Sequence, residues 1–363
     1  MNIAVNGYFL AKPKTGMGQY VIHVLDELLQ DPQDDWSIYV PSGYDYEYLP
    51  EHIRKHVVVK FPGWLRKDLI QQVIWEKYCV PWFARKADVL WVPYQCLAWS
   101  DSVRTVMTVH DLIPWRMPEY IPNKKQAWYY DHLEDVLEHV PEIITVSEFS
   151  KQEIQSVLDR VTDAITVVPL ASSKDPEIGV RDAIKHEKYV LYVGGLDKRK
   201  NVIRLVEAFA DMAAEEPETH LYIPGNYFKN PLIPNIPAKI RQLGMKDRIH
   251  MLGYVSDEEL VGLMKEAQVV AYPSEYEGFG FPILEAMSMG TPVITSSIGV
   301  MQEVAGEAAY TVDPYSVQSI SRGLAKVLGD ADLRAELSKR GLVRAQEFSW
   351  ERTARETYAV LKG

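Results

Sequence analysis

The sequence predicts an α/β fold made of two doubly wound, Rossmann-like domains facing each other across a cleft. Three observations carry this expectation. Short apolar runs alternate with amphipathic segments along the whole chain, the pattern of βαβ units around a mostly parallel sheet. The alternation breaks once, after Pro169-Leu170, and restarts at Tyr189. The length, 363 residues, suits two domains of ordinary size.

In the first half, strand-like runs lie at Ile3–Val5, Ser37–Val40, Val57–Lys60, Val89–Val92, Val103–Val109, Ile143–Val146 and Ile165–Val168. Helix-like segments lie at Gln19–Leu29, Leu69–Phe83, Lys125–His139 and Lys151–Leu158, and residues 1–171 make the N-terminal domain. The stretch from Ala171 to Glu177 has no periodicity and is rich in turn residues, so 172–187 reads as a linker. Strands follow at Tyr189–Val193, Leu221–Ile223, Ile249–Leu252, Val269–Tyr272 and Val293–Thr295. Helices are expected at Val202–Met212, Asp257–Glu266, Phe281–Met289 and Val317–Leu328; Ser256 with Glu259 forms a capping box for the second. This gives a C-terminal domain over 188–346, and a last segment, 347–363, whose Trp350–Lys362 stretch is helical in pattern.

Composition narrows the function. Hydrophobic residues at 47% and charged residues at 25% mark a soluble globular chain. A net charge of -11 argues against broad nucleic-acid binding, which needs a basic face. Cys79 and Cys96 have neither metal-ligand spacing nor a disulfide framework, which points to a reducing cytoplasm. The N-terminus lacks the basic start and long apolar core of a signal peptide, and no apolar run approaches the ~20 residues that span a bilayer.

Ligands of open α/β sheets bind beyond the C-terminal strand ends. The most informative such place is Ser274-Glu275-Tyr276-Glu277-Gly278-Phe279-Gly280-Phe281-Pro282-Ile283-Leu284-Glu285-Ala286. It follows a buried strand and runs through a glycine loop into a short helix that Gly290 is placed to end. Glu277 lies in the loop and Glu285 on the helix. Gly278 and Gly280 let a ligand approach the main chain, and the helix start offers backbone N–H groups to an anion. An acidic loop before an ordinary helix is the plainer reading of two glutamates at this spacing.

The run Glu277-Gly278-Phe279-Gly280-Phe281-Pro282 through Glu285 resembles the signature of retaining glycosyltransferases of family 4, which have the GT-B fold. The resemblance implies a donor held by the C-terminal domain and an acceptor held by the N-terminal one. It implies that Glu277 and the amides of Gly278, Phe279, Gly280 and Phe281 contact the sugar and phosphate of a nucleotide-sugar donor. Glu285 would then bind the ribose hydroxyls, a diol that a carboxylate accepts in bidentate fashion. By the same resemblance the segment Met251–Ser256, with Val255, lines the base pocket, mostly through backbone. The last helix crosses back to the first domain in that fold.

Four further clusters fit. In Gly194-Gly195-Leu196-Asp197-Lys198-Arg199-Lys200-Asn201, cations follow two glycines at a helix start, which suits a diphosphate. Many relatives carry an Arg several residues before the Lys; here Gly194 and Gly195 occupy that region. Lys200 is the safer phosphate ligand, and Arg199 either substitutes for the missing arginine or points to solvent. Thr15-Gly16-Met17-Gly18 lacks the third glycine of a dinucleotide fingerprint, Val21 standing in its place. It resembles the family's glycine loop, through which Gly16 and Gly18 approach the donor phosphates or the acceptor; a plain flexible turn competes. His110, in Thr108-Val109-His110-Asp111, matches a histidine that contacts the donor hexose in relatives. Asp111 either positions the acceptor or caps the next turn. Ser147 offers a helix N-cap, with a sugar or phosphate contact as the alternative.

The segment 64–86 combines Trp64, Trp75, Trp82 and Phe83 with Arg66, Lys67, Lys77, Arg85 and Lys86, opposed by Asp68 and Glu76. It reads either as a core-packing helix with a solvated face or as a peripheral contact with an anionic membrane at the inner face.

The resemblance therefore implies transfer of a hexose, with retention, from a nucleotide sugar of the UDP-glucose or GDP-mannose type to a hydroxyl of a sugar or lipid-linked acceptor. Polysaccharide or glycolipid synthesis in the cytoplasm is the setting it implies. His110, Glu277 and Lys200 would carry the chemistry, the leaving phosphate acting as base. No cofactor is expected, and no metal, since no Asp-x-Asp pair lies near these motifs. The alternatives are a nucleotide-sugar 2-epimerase of related fold, a sugar phosphorylase, disfavoured for want of a cofactor-lysine motif, and a non-catalytic partner protein that keeps only the fold.

Overall fold

The computed structural model describes residues 1–60, 69–158, 164–178, 188–228 and 230–363. The chain divides into two compact units, Met1–Leu170 with Ser349–Gly363, and Ala171–Phe348.

The first unit is built on a parallel sheet of β1 (Asn2–Asn6), β2 (Asp35–Pro41), β3 (Val57–Lys60), β4 (Val89–Val92), β5 (Arg104–Val109), β6 (Glu142–Thr145) and β7 (Ile165–Val167), in the order β3-β2-β1-β4-β5-β6-β7. All four residues of β4 are buried, as expected for a central strand covered on both faces. The strand order reverses between β1 and β4, which pair from Ile3↔Val89 to Val5↔Trp91, so their C-terminal ends flank a crevice position. The helix Trp350–Lys362 belongs to this unit and packs on Gly16–Leu28. Trp350 stacks on His23 at 4.7 Å, and the Arg104 guanidinium donates to the carbonyls of Val360 and Leu361 at 2.7 Å.

The second unit repeats the plan with β8 (Tyr189–Tyr192), β9 (His220–Pro224), β10 (Ile249–Gly253), β11 (Val269–Tyr272), β12 (Val293–Ser296) and β13 (Tyr310–Val312), all parallel, ordered β10-β9-β8-β11-β12-β13. Here the switch falls between β8 and β11. The loops that follow these two strands, Val193–Asn201 and Pro273–Gly280, are therefore neighbours. Both units have the doubly wound order expected of the fold class.

Some elements differ from the sequence reading. β13 and the helices Ile236–Gln242, Gly299–Ala305 and Ala331–Ala345 are additional. β13 buries only Val312, so it offers no apolar run, and Ala331–Ala345 buries only Leu337 and Gly341, so it shows no apolar stripe. The single helix expected over Leu69–Phe83 is three pieces: Leu69–Ile74, a π turn at Trp75–Cys79, and Val80–Ala84. The Val80 N–H reaches back to the Trp75 carbonyl, and Pro81, which has no N–H to give, follows at once.

That π turn divides the described part of 64–86 between core and surface. Trp64, Arg66, Lys67 and Asp68 lie outside the described residues. Trp75 and Glu76 are not surface groups but fully buried, while Tyr78 and Trp82 are exposed. The Glu76 carboxylate accepts from Gln72 Nε2 at 2.9 Å, Tyr129 OH at 2.8 Å, and Tyr94 OH and the Leu97 N–H at 3.3 Å each. Burial pushes its carboxyl up to about 7, against the opposing pull of these donors.

Candidate functional site

The two switch-point loops of the second unit meet at Glu277. Its Oε2 lies 2.6 Å from Arg199 Nη1, and its Oε1 lies 2.5 Å from Lys200 Nζ. Ser274 Oγ donates to Oε1 at 2.8 Å and Tyr272 OH at 2.7 Å; Tyr272 in turn accepts from Lys200 Nζ at 2.7 Å. Glu277 is 7% exposed. Burial alone would raise its carboxyl, but the charges of Lys200 and Arg199 outweigh this and bring it down to about 2. Burial lowers the Lys200 ammonium, with Glu277 opposing. For Arg199 the order is reversed: desolvation is outweighed by Glu277 and Asp197, and its affinity for the proton rises. Every member of the cluster is thus held charged or hydrogen-bonded in a low-dielectric setting.

Arg199 does not point to solvent. It also donates to the Tyr276 carbonyl at 3.0 Å and pairs with Asp197 at 3.3 Å. The turn that carries it is Lys198–Lys200, one turn of 3-10 helix, closed by Asn201 at φ 63, a left-handed conformation that Asn tolerates. The Asn201 amide donates to the carbonyls of Pro273 at 2.9 Å and Pro314 at 2.7 Å. This one buried side chain ties the cationic turn to the loop that carries Glu277.

Gly280 has φ 101 and caps Phe281–Ser288, so the loop can turn sharply into the helix. Glu277, Gly278, Phe279, Gly280 and Phe281 are contiguous here, with Phe279 buried and Phe281 half-buried. Glu285, 6% exposed on that helix, has a different environment from Glu277. Ser173 Oγ donates to it at 3.3 Å, and burial raises its carboxyl, opposed by the nearby charge of Lys174. Val255 is half-buried between β10 and the helix Asp257–Glu266, whose start carries the expected capping box of Ser256 and Glu259.

The remaining sequence candidates sit in the first unit. His110 follows β5 and is half-buried, edge-on to the Tyr20 ring at 4.8 Å. Its Nε2 lies 3.0 Å from the Pro93 carbonyl, which can only accept, so Nε2 carries the hydrogen and Nδ1 is the acceptor nitrogen. Burial lowers the imidazole to about 4, so the ring is neutral near pH 7. Its main-chain N–H donates to Gln95 Oε1 at 3.1 Å. Asp111 Oδ1 accepts from the Ile113 N–H at 3.1 Å and so caps the next turn. Ser147 caps Glu148–Val157 and is buried.

Gly16 opens the helix Gly16–Leu28, and Thr15 caps it by accepting from the Gly18 N–H. A Cβ on Gly18 would lie 2.2 Å from the Lys12 carbonyl oxygen, so close packing alone demands glycine there. Sequence reasoning missed Tyr272, Ser274, Asn201 and Ser173. Each acts through a hydroxyl or amide on a partner in another loop or outside its own element, and no local pattern announces that.

The chain matches the Glycosyl transferases group 1 family over residues 174–344 and Glycosyltransferase Family 4 over residues 14–171. It is 33% identical to the O-antigen chain mannosyltransferase B of Escherichia coli over 270 residues, 71% of this chain and 70% of that protein. It is 24% identical to the serotype-specific mannosyltransferase WbdA of Escherichia coli across 98% of its own length but only 44% of the length of WbdA. Among solved structures, the sucrose-phosphate synthase of Thermosynechococcus elongatus superposes over 100% of this chain and 98% of its own, with a TM-score of 0.78 at 20% identity.

Proposed function

Because this chain belongs to the group 1 glycosyltransferases of family 4 type, with the GT-B fold, we propose that it transfers a mannosyl residue from a nucleotide sugar of the GDP-mannose type to a hydroxyl acceptor, with retention. The observation that carries the reading is the buried cluster of Arg199 and Lys200 around Glu277 at the switch point of the second sheet. Two cations held in a low-dielectric pocket are suited to the charge that develops on a departing nucleoside diphosphate. The mannosyl choice rests on the named activities of the Escherichia coli relatives; a UDP-glucose type donor is the competing outcome.

In this proposal a diphosphate competes with Glu277 for Lys200 and Arg199. The carboxylate then accepts from hexose hydroxyls, its orientation still fixed by Tyr272 and Ser274. Glu285 takes the ribose diol, and Val255 lies beside the base. The bond from the anomeric carbon to the phosphate oxygen breaks, the acceptor oxygen bonds on the same face, and the acceptor proton passes to the leaving phosphate. His110, neutral and with Nδ1 as acceptor, receives a sugar hydroxyl. The setting proposed is polysaccharide assembly.

A thermal-shift screen with GDP, UDP, ADP and their hexose conjugates tests this, since a ligand that binds only the native state raises the melting temperature. A shift with GDP and GDP-mannose supports the reading. A shift with UDP and UDP-glucose alone moves the donor assignment, and no shift with any nucleotide overturns it.

A further inference from the structure

The buried Glu76 carboxylate has no part in the site on the second unit, yet it ties together three elements of the first. It accepts from Tyr129 OH on the helix Lys124–His139 at 2.8 Å and from the Leu97 N–H, in the segment after β4, at 3.3 Å. Glu76 itself belongs to the π turn, which leaves the next two side chains, Lys77 and Tyr78, on the surface. A groove of about 510 Å³ lies among these same three elements. Leu97 and Val136 form its floor, and Tyr78 and Trp99 its aromatic walls. That volume is within the ~300–1,000 Å³ range of small-molecule sites. The helix ends at His139, just ahead of β6, and Trp99 lies just ahead of β5. Trp99 and His139 therefore mark the edge of the sheet where β5 and β6 begin, opposite the edge where His110 emerges.

We propose that this groove binds a neutral oligosaccharide, a pyranose ring lying against Trp99 and Tyr78 while its hydroxyls bond to His132, Asp135 and His139. The polar groups give the first reason. His132 Nδ1 lies 2.9 Å from the Trp128 carbonyl and His139 Nδ1 lies 2.6 Å from the Asp135 carbonyl. A carbonyl can only accept, so each Nδ1 carries the hydrogen, and in the neutral ring each Nε2 is an acceptor. Asp135 stands three residues after one histidine and four before the other, so one helix face presents all three to the groove. A row of acceptors calls for a ligand rich in hydroxyl donors. The walls give the second reason. Tyr78 is 61% exposed, and Trp99 is half-buried with the His139 ring 5.7 Å away. One face of a pyranose is a patch of C–H groups, whose hydrogens meet the negative face of an aromatic ring. Charge gives the third. Lys77 and Asp135 are the one cation and the one carboxylate lining the groove, and among the described residues neither is in an ion pair. A phosphate drawn to Lys77 would also face Asp135, whereas a neutral sugar uses both as hydrogen-bonding partners. Glu76 holds the three elements in place beforehand, which lowers the cost of ordering them around a ligand. The binding does not depend on the proposed donor or reaction. Joined to that reaction, it retains a chain acceptor between turnovers and raises its effective concentration.

The experiment is affinity electrophoresis of the full chain through native gels that contain mannan, dextran or amylose, with heparin as the anionic control. At least one neutral glycan should retard the wild type, relative to a glycan-free gel, and heparin should not. Trp99→Ala and Asp135→Asn should each weaken the apparent affinity at least about tenfold, the loss of an aromatic anchor and of a charged acceptor. Circular dichroism and the nucleotide thermal shift of both variants should match the wild type. If Trp99→Ala loses its native spectrum, Tyr78→Ala, at an exposed side chain, supplies the aromatic arm. No retardation by any of the three neutral glycans overturns the proposal. So does retardation by heparin as strong as by any of them, or retardation that the aromatic variant and Asp135→Asn leave unchanged, which would assign the sugar to another place on the chain. Glycan binding without a nucleotide shift would instead leave this site standing and remove the transfer reading.

Discussion

The guanidinium of Arg199 and the carboxylate of Glu277, 78 residues apart in sequence, are joined at 2.6 Å. Strand order explains it, because β8 and β11 are adjacent and each sends its following loop to the same edge. Lys200 completes the arrangement from the other carboxylate oxygen. The chain's own side chains therefore assemble the cluster at the switch point, and its charges depend on one another.

Replacing Glu277 by Gln should lower turnover by about 10²–10³-fold while the nucleotide thermal shift persists, because the hexose loses a charged acceptor, one of whose two oxygens becomes an NH2 donor, and the diphosphate keeps its cations. Breaking a buried ion pair from one side typically costs about 3–5 kcal/mol, so the variant should also melt earlier. The pH dependence has a definite sign. The folded-state carboxyl, at about 2, lies below its ordinary 4.5. Its stabilisation is present above about 4.5 and is lost as pH falls toward about 2, and the acid-unfolding arm of Glu277→Gln should be flatter over that window. Wild-type turnover in this variant would remove Glu277 from the mechanism.

Arg199→Lys tests whether charge alone suffices. Arg199 reaches Glu277, the Tyr276 carbonyl and Asp197 together, which an ammonium cannot do with its compact geometry. Isothermal titration with the matching nucleoside diphosphate should show affinity reduced at least about tenfold, close to 1.4 kcal/mol. An unchanged Kd would mean that Lys200 alone carries the phosphates.

Glu285 makes a prediction about sugar hydroxyls. If its carboxylate accepts from both hydroxyls of the ribose, Glu285→Gln should weaken binding of the ribonucleotide by about 10-fold and that of the 2′-deoxynucleotide, which keeps only the 3′-hydroxyl, by distinctly less. The double comparison isolates one contact. Equal loss for both nucleotides would show that Glu285 acts on the fold through Ser173 rather than on the ligand.

Glu76 predicts the opposite pH behaviour to Glu277. Burial holds its folded-state carboxyl at about 7, above the ordinary 4.5. Stability from this group is fully present below about 4.5 and declines as pH rises through about 7. In Glu76→Gln, urea midpoints measured at about pH 5 and about pH 8 should differ less than in the wild type. An unchanged difference would place the pH dependence elsewhere.

The fold class was legible because its signal is long-range and repetitive: alternating apolar runs, one break, one restart. Glu277 and Glu285 stand out because glycines, strand and helix surround them within one local stretch. Arg199 was ambiguous because its partner is 78 residues away. Tyr272 reads as the end of a buried strand, and only its hydroxyl, aimed at Glu277, gives it a further part. Glu76 beside Lys77 reads as surface charge. The π turn before Pro81 faces it inward, onto Tyr129 and Tyr94, and periodicity cannot anticipate a change of helical pitch. β13 was lost because it buries only Val312, and the helix Ala331–Ala345 to its polar composition.

The helix Trp350–Lys362 has a bearing on how the protein is made. It is held by Tyr358 on Asp34, by Arg104 on the carbonyls of Val360 and Leu361, and by Trp350 on His23, all contacts with the first unit. Domains generally fold in the order in which the ribosome delivers them. Here the first unit to emerge is finished only after the second has been synthesised, when residues through Lys362 are available. A nascent chain stalled after Phe348 would carry a complete second unit and a first unit with an uncovered face on Gly16–Leu28. A ribosome-bound series of such lengths should therefore gain protease resistance in the second unit before the first.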